Sequence, residues 1–211
     1  ELKTPLQSII GSADLIESGL VKPEDMPRFI GHIKTDAARL VSLVSDIIRL
    51  SQLDENTEMN RENVDALSVA KEALEMVGPI AESRNISLTI KGEPAPLNSV
   101  HKLLYDIIYN LCDNAVKYNK EGGFVKVDVK TAGDKVQVAV SDNGVGIAPA
   151  DQSRVFERFY RVDKSHSRES GGTGLGLSIV KHAVAYLKGS ISLESTLGKG
   201  TTITVSFPAE K

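Results

Sequence analysis

Tryptophan is absent, and aromatic residues make up only 5% of the 211-residue chain. That excludes the stacking platform by which a protein holds single-stranded nucleic acid. A single cysteine, Cys112, leaves no partner for a disulfide within the chain and suits a thiol-reducing compartment. No apolar run approaches the ~20 residues of a membrane-spanning helix. Charge of one sign is also lacking. Lys and Arg number 25 and Asp and Glu 28, a net charge of -3, too balanced for a chain that coats a phosphate backbone. With 41% of residues hydrophobic and 25% charged, a packed globular core is expected. A helical pattern is already running at Glu1, without an initiator Met or a signal-peptide pattern, so the chain reads as an excised fragment.

Residues 1–54 read as two helices. Leu6, Ile9, Ile10, Ala13 and Ile16 lie on one helical stripe, and Gly19 is a candidate stop. Pro23 and Pro27 bracket the next start. Ile30, Ile33, Ala37, Leu40, Val44 and Ile47 alternate spacings of three and four, a heptad seam, widened by Phe29, Leu43, Ile48 and Leu50. Two helices cannot bury two such faces against each other alone. A four-helix bundle made by two chains is the expected solution, and a hairpin packed on its own neighbouring domain is the alternative. Residues 55–62 are polar and make a linker.

From residue 63 the pattern is mixed. Helical periods at Val64–Arg84, Val100–Tyr118 and Thr173–Leu187 interleave with alternating strands at Ile86–Ile90, Phe124–Val129, Val136–Val140, Ser190–Glu194 and Thr201–Phe207. The fold class is α+β in two domains: an antiparallel helical hairpin, then an α/β sandwich with helices on one face of a sheet.

Four segments of the second domain carry candidate chemistry. Asn110 and Asn114 are i, i+4 and share a helical face, with Lys117 one turn on. An amide oxygen is a hard neutral ligand suited to Mg²⁺, and an ammonium suits phosphate. Asp142-Asn143-Gly144-Val145-Gly146-Ile147 follows a strand directly. A carboxylate at a strand end can accept from an exocyclic amine, and the glycines permit close backbone approach. Gly172-Thr173-Gly174-Leu175-Gly176 feeds an amphipathic helix, offering backbone N–H groups and a positive dipole end to phosphate. It is no Walker loop, because no Lys-Ser/Thr follows. Phe156-Glu157-Arg158-Phe159-Tyr160-Arg161 pairs aromatics with arginines, and Val162–Ser170 has the composition of a lid. Taken singly, each segment is equally well read as surface amides, a tight turn, a glycine loop or a packing anchor.

In their order along the chain the segments resemble the N, G1, F and G2 boxes of bacterial two-component sensor histidine kinases, within the superfamily that includes gyrase, Hsp90 and MutL. Glu1-Leu2-Lys3-Thr4-Pro5-Leu6 resembles the H box of the same kinases without its first residue. The resemblance implies a dimerisation and histidine-phosphotransfer hairpin over 1–54 and a catalytic ATP-binding domain over 63–211. It implies a cytoplasmic fragment of a membrane-anchored parent. Its partners would be a second copy through residues 1–54 and a response-regulator receiver domain, with no nucleic acid and no membrane contact by the fragment itself.

Residue by residue, the resemblance makes Asn114 the Mg²⁺ ligand, Asn110 its polar neighbour, Lys117 a phosphate contact and Tyr118 a flank of the nucleotide. Asp142 would take the adenine amine, with Gly144, Gly146 and Ile147 shaping that pocket. Gly172, Thr173, Gly174, Leu175 and Gly176 would cover the phosphates, and Arg161 would approach the terminal one. Phe156 and Phe159 would anchor the lid base. The family's phosphoacceptor His directly precedes the residue that here is Glu1. Glu1 would be its general base, and Thr4 would orient water for dephosphorylating the partner. None of His32, His101, His166 and His182 stands in such a context, so the 211 residues are expected not to phosphorylate themselves. The alternatives are a gyrase/Hsp90-type ATPase and a catalytically inactive nucleotide-binding scaffold.

Overall fold

A computed structural model describes residues 2–55, 58–162 and 172–209. Helix α1 (Lys3–Glu17) ends as a glycine-stopped helix should: Gly19 has φ +70°, its N–H donates to Ile16 O (3.1 Å), and Leu20 N–H reaches back to Leu15 O (3.2 Å). Helix α2 (Met26–Asp54) starts with Pro27 in its first turn and runs antiparallel to α1.

Within the single chain the expected seam is only partly covered. Ile33 and Leu40 are half-buried within the single chain, whereas Ile30, Ala37, Val44 and Ile47 point outward beside Val41 and Ile48. Leu2, Leu6 and Ile10 make a matching exposed stripe on α1. Leu43 and Leu50, expected only to widen the apolar surface, are with Leu53 the buried residues of α2. The reason is contact with the second unit: Leu43 and Leu50 form a closed cluster with Leu175 and Ile179. The hairpin therefore does pack on its own neighbouring domain, and a second apolar face is left over.

The second unit opens with strand β1 (Glu62–Asp65), which pairs antiparallel with β3 (Pro96–Ser99) in a small ladder that the periodicity did not reveal. Both strands have four residues, too few for a visible alternation. Between them run α3 (Ala66–Ser83) and β2 (Ser87–Gly92). Then come α4 (His101–Lys117), the hairpin β4 (Phe124–Ala132) and β5 (Lys135–Asp142), one turn of helix α5 (Pro149–Gln152), α6 (Gly176–Tyr186), and the closing pair β6 (Ser190–Thr196) and β7 (Gly200–Pro208). The sheet order is β2-β4-β5-β7-β6, parallel only between β2 and β4. Alternation places Val125, Val127, Val129, Val136, Val138, Val140, Ile203, Val205 and Phe207 on one face, under the apolar sides of α3, α4 and α6. Cys112 lies in this core, where burial pushes its thiol up to about 12, so it acts as a small apolar side chain.

Asp65 joins the small ladder to α3. Its carboxylate accepts from Leu67 N (3.3 Å), Ser68 N (3.2 Å), Ser68 Oγ (2.7 Å) and Ala95 N (2.7 Å). Burial alone would raise its pKa, but these four hydrogen bonds outweigh it and hold the group below the usual carboxylate range. Asp65→Ala should cost ~1–2 kcal/mol, read as a lower urea midpoint at unchanged slope. Because the folded pKa is depressed, the difference from the parent should be full above the unfolded Asp pKa and fade as pH falls through the folded value. A midpoint difference independent of pH would refute this role.

Candidate functional site

The site is built where the polar edge of α4 meets the start of α6. Apolar residues at Leu103, Leu104, Ile107, Ile108, Leu111, Cys112, Ala115 and Val116 turn one side of α4 inward. That leaves Asn110, Asp113, Asn114 and Lys117 as a stripe along its border. Asn110 Nδ2 donates to Asp106 O (2.7 Å), which turns its oxygen toward α6: a methyl group at Gly176 would stand 2.8 Å from Asn110 Oδ1 and 3.8 Å from Asn114 Nδ2. Asn114 is half-buried, and its amide has no hydrogen-bond partner among the described residues. Lys117 Nζ pairs with Asp113 (2.6 Å). The C-terminal end of α4 is held by Arg84, whose guanidinium donates to Val116 O (2.5 Å), Lys117 O (2.9 Å) and Asn119 O (2.6 Å).

The second wall is the turn after β5. Asp142 Oδ1 accepts from Gly144 N (2.8 Å), and the backbone N–H of Thr201 also faces this carboxylate. Burial pushes the Asp142 carboxyl above the ordinary range, and the two backbone donors bring it only part of the way back. Gly144 lies against the carbonyl of Tyr118, and a side chain there would collide with it. Gly146 (φ +66°) lies against the carbonyl of Thr196, so both its conformation and its surroundings exclude a Cβ. Ile147 N donates to Ser195 Oγ (2.8 Å), and Gln152 Nε2 bridges Ile147 O and Ser195 O (both 3.0 Å), fixing the turn.

The glycine loop closes the third side. Its position is set by Phe159 N donating to Gly174 O (2.9 Å), and the guanidinium of Arg161 and the hydroxyl of Tyr118 flank Gly172. Phe159, expected to anchor the lid base by its ring, has φ +62° and a partly exposed ring; its backbone makes the tie. The buried anchor of this segment is Val155, helped by Tyr160 Oη donating to Asp151 Oδ1 (2.5 Å). Leu175, expected among the nucleotide contacts, has its side chain wholly enclosed with Leu43, Leu50 and Ile179. Its side chain packs the two units together and does not face the site. Thr4 is exposed in the first turn of α1, while Glu1 and the lid residues 163–171 lie outside the described residues.

Three contributors were not foreseen. Thr201 supplies an N–H to Asp142, and the glycines at 198 and 200 before it were the available signal. Ser195 pins Ile147. Asp46 of α2 accepts from Thr173 Oγ1 (2.9 Å), a contact no local pattern announces. The Asn110–Asn114 amides, Lys117, the glycine loop at a helix start and the half-buried Asp142 thus converge on one rim.

Residues 99–211 match the family described as histidine kinase-, DNA gyrase B-, and HSP90-like ATPase, and residues 1–56 match the His Kinase A (phospho-acceptor) domain. The chain belongs to the histidine kinase family. Among this histidine kinase's relatives, the sensor-like histidine kinase SenX3 of Mycolicibacterium smegmatis is 38% identical over 210 residues, covering 99% of this chain and 55% of that protein. The sensor histidine kinase WalK of Bacillus subtilis is 33% identical over 223 residues, covering 99% and 35%. The kinase chain thus spans about half or less of the length of these curated relatives. Of solved structures, the Acinetobacter baumannii histidine kinase AdeS superposes with a TM-score of 0.83 at 22% identity, covering 100% of this chain and 98% of that one. Its likeness carries the fold of both units together.

Proposed function

We propose that the chain is the core of an ATP-dependent protein-histidine kinase of a two-component system. It would transfer the terminal phosphate of ATP to a histidine just before Glu1, and from there to an aspartate of a response-regulator receiver domain. The observation that carries this reading is the convergence of Asn110 and Asn114 on Gly176 at the start of α6, with the half-buried Asp142 across the turn. Support also comes from similar proteins. SenX3 is named a sensor-like histidine kinase, ShkA (26% identical, TM-score 0.77) was solved with AMPPNP, and ThkA was solved in complex with a response regulator.

In this reading Asp142 accepts from the adenine amine, and the Gly144 and Gly146 backbone shapes the base pocket. Mg²⁺ held by the Asn114 amide would screen the phosphate charges. The residues fit it: Asn114 is a hard, half-buried donor without another described partner. The start of α6 offers its N–H groups and dipole to phosphate, with Lys117 and Arg161 as cations beside it. Glu1 takes the proton from the attacking imidazole, and Thr4, one turn on, places water for the reverse, dephosphorylating role. The gyrase-like alternative requires a carboxylate at Asn110 to activate water, and an amide cannot do that. Slow phosphate release without a protein acceptor is therefore expected; fast, sustained release in a coupled phosphate assay would favour the ATPase alternative. A catalytically inactive scaffold is the less apt reading, because the sequence keeps every box that the resemblance assigns to the nucleotide.

The leftover apolar faces of α1 and α2 support a homodimer. Val44 is the better probe than Leu40, because Leu40 is also half-buried inside the single chain. Val44→Asp would bury an unpaired charge, a cost of several kcal/mol that should turn dimers into monomers by light scattering while helicity persists. A persistent dimer would place the interface elsewhere. We read the fragment as lying on the cytoplasmic side of a membrane-anchored parent; no described helix is itself long and apolar enough to cross a membrane.

A further inference from the structure

One face of α2 meets the catalytic unit at four successive turns. Leu43 and Leu50 enclose Leu175 and Ile179, Asp46 reaches Thr173, Arg49 pairs with the buried Asp106 (3.3 Å), and Asp54 pairs with Arg158 (2.6 Å) and His182 (3.5 Å). Most of these contacts hold the units together. The contact of Asp46 differs because it falls on a residue of the glycine loop. Thr173 Oγ1 has one proton to give. Leu175 N donates to the oxygen (3.3 Å), and the proton goes to Asp46 Oδ2. The Asp46 carboxylate is also close enough to Lys117 and Arg49 to be stabilised by both. Burial pushes its pKa up, and the hydrogen bond from Thr173, then Arg49 and Lys117, pull against that.

A carboxylate oxygen and a phosphate oxygen present the same acceptor to a hydroxyl and the same charge to an ammonium. We propose that Asp46 is an intramolecular competitor for the phosphate side of the nucleotide site, so that docking of α2 and binding of a nucleoside triphosphate oppose each other. The inference rests on the ATP reading of the site. With α2 docked, the incoming polyanion meets a fixed negative charge, and the Thr173 proton is already committed. Movement of α2 away from the glycine loop removes both obstacles at once. Linkage makes the effect reciprocal: a triphosphate in the site weakens docking by the same factor by which docking weakens the triphosphate. The docking contact is a four-residue apolar cluster and Leu53, with charged pairs around them, and for a contact this small relative motion of the two units is the default expectation.

The test measures ATP and adenosine affinity on the full chain by calorimetry, for the parent and for Asp46→Asn. The amide keeps an acceptor for Thr173 and removes only the charge. ATP should bind on the order of tenfold more tightly to the variant, the scale of one partly screened unit-charge interaction, while adenosine, which has no phosphate, binds unchanged. Leu50→Ala, which loosens docking without touching charge, should also favour ATP, and the gain from Asp46→Asn should shrink in that background. An unchanged or lowered ATP-to-adenosine ratio in Asp46→Asn overturns the proposal while leaving the nucleotide reading intact. Absence of ATP binding in parent and variant alike overturns both.

Discussion

Asp142→Asn should weaken ATP binding by roughly tenfold to a hundredfold, the equivalent of losing one charge-assisted hydrogen bond of ~1.5–3 kcal/mol. The carboxylate sits at the end of β5, half-buried, with the N–H groups of Gly144 and Thr201 already aimed at it. Those donors fix its orientation, so its remaining lone pairs point in a defined direction. Substitution by an amide places an N–H donor where both neighbours also donate, and one of the three is left unsatisfied. The same environment sets a pH signature. Burial raises the pKa of Asp142, so ATP affinity of the parent should fall on acidification earlier than an ordinary carboxylate would require. The variant, with no proton to gain there, should lack that step. Calorimetry across the mildly acidic range decides the matter. Equal affinities in parent and variant, or identical pH profiles, would remove Asp142 from the base pocket.

The parts of this structure that periodicity could reveal were those in which one residue type repeats against one surface. The alternating valines of β4 and β5 and the apolar side of α4 face a single core, and their sequence pattern is the direct imprint of that burial. The β1–β3 ladder lacks that imprint because four-residue strands hold too few alternations. The second use of α2, as a docking face for the other unit, was hidden for a different reason. This helix serves two partners: Leu43, Leu50 and Leu53 are buried on the catalytic side, while Ile30, Val44 and Ile48 stay open. Two stripes on one helix sum to a broad apolar pattern from which neither can be separated locally. The site followed the same rule. Asn110, Asn114 and Gly176 could be named because helical spacing and the glycine loop are local signals. Thr201 and Asp46 could not, since each arrives from an element remote in sequence and its polar type is unremarkable at its own position. Leu175 shows the converse case, in which a residue inside a recognisable glycine loop owes its identity to packing against α2.

Placing a histidine immediately before Glu1, on a short helical extension of α1, should confer self-phosphorylation on a chain expected otherwise to bind ATP without labelling itself. Residues 3–17 are helical and Leu2 keeps helical backbone angles, so an extension built in helical register would set the histidine one turn from Thr4 on its face. His32 lies on α2 without a neighbouring acidic-x-x-Thr-Pro string, and His182 is occupied by Asp54, Arg158 and the Ser178 carbonyl. His101 at the start of α4 faces Glu72 of α3 at 3.5 Å. None offers an imidazole nitrogen beside a carboxylate free to take its proton in the setting of Thr4 and Pro5. With the histidine in place, Glu1→Gln should lower the rate by about 10²-fold, within the range expected for loss of a positioned general base. Thr4→Ala should leave labelling intact and impair dephosphorylation of a phosphorylated receiver domain, because in the proposed reading Thr4 acts on water and not on ATP. Radiolabelled ATP, followed by transfer to a response regulator, reads all three effects, and the label should be acid-labile and alkali-stable, as a phosphoramidate is. Robust labelling of the unextended 211 residues, or a Glu1→Gln rate equal to that of the parent, would relocate the phosphoacceptor and its base.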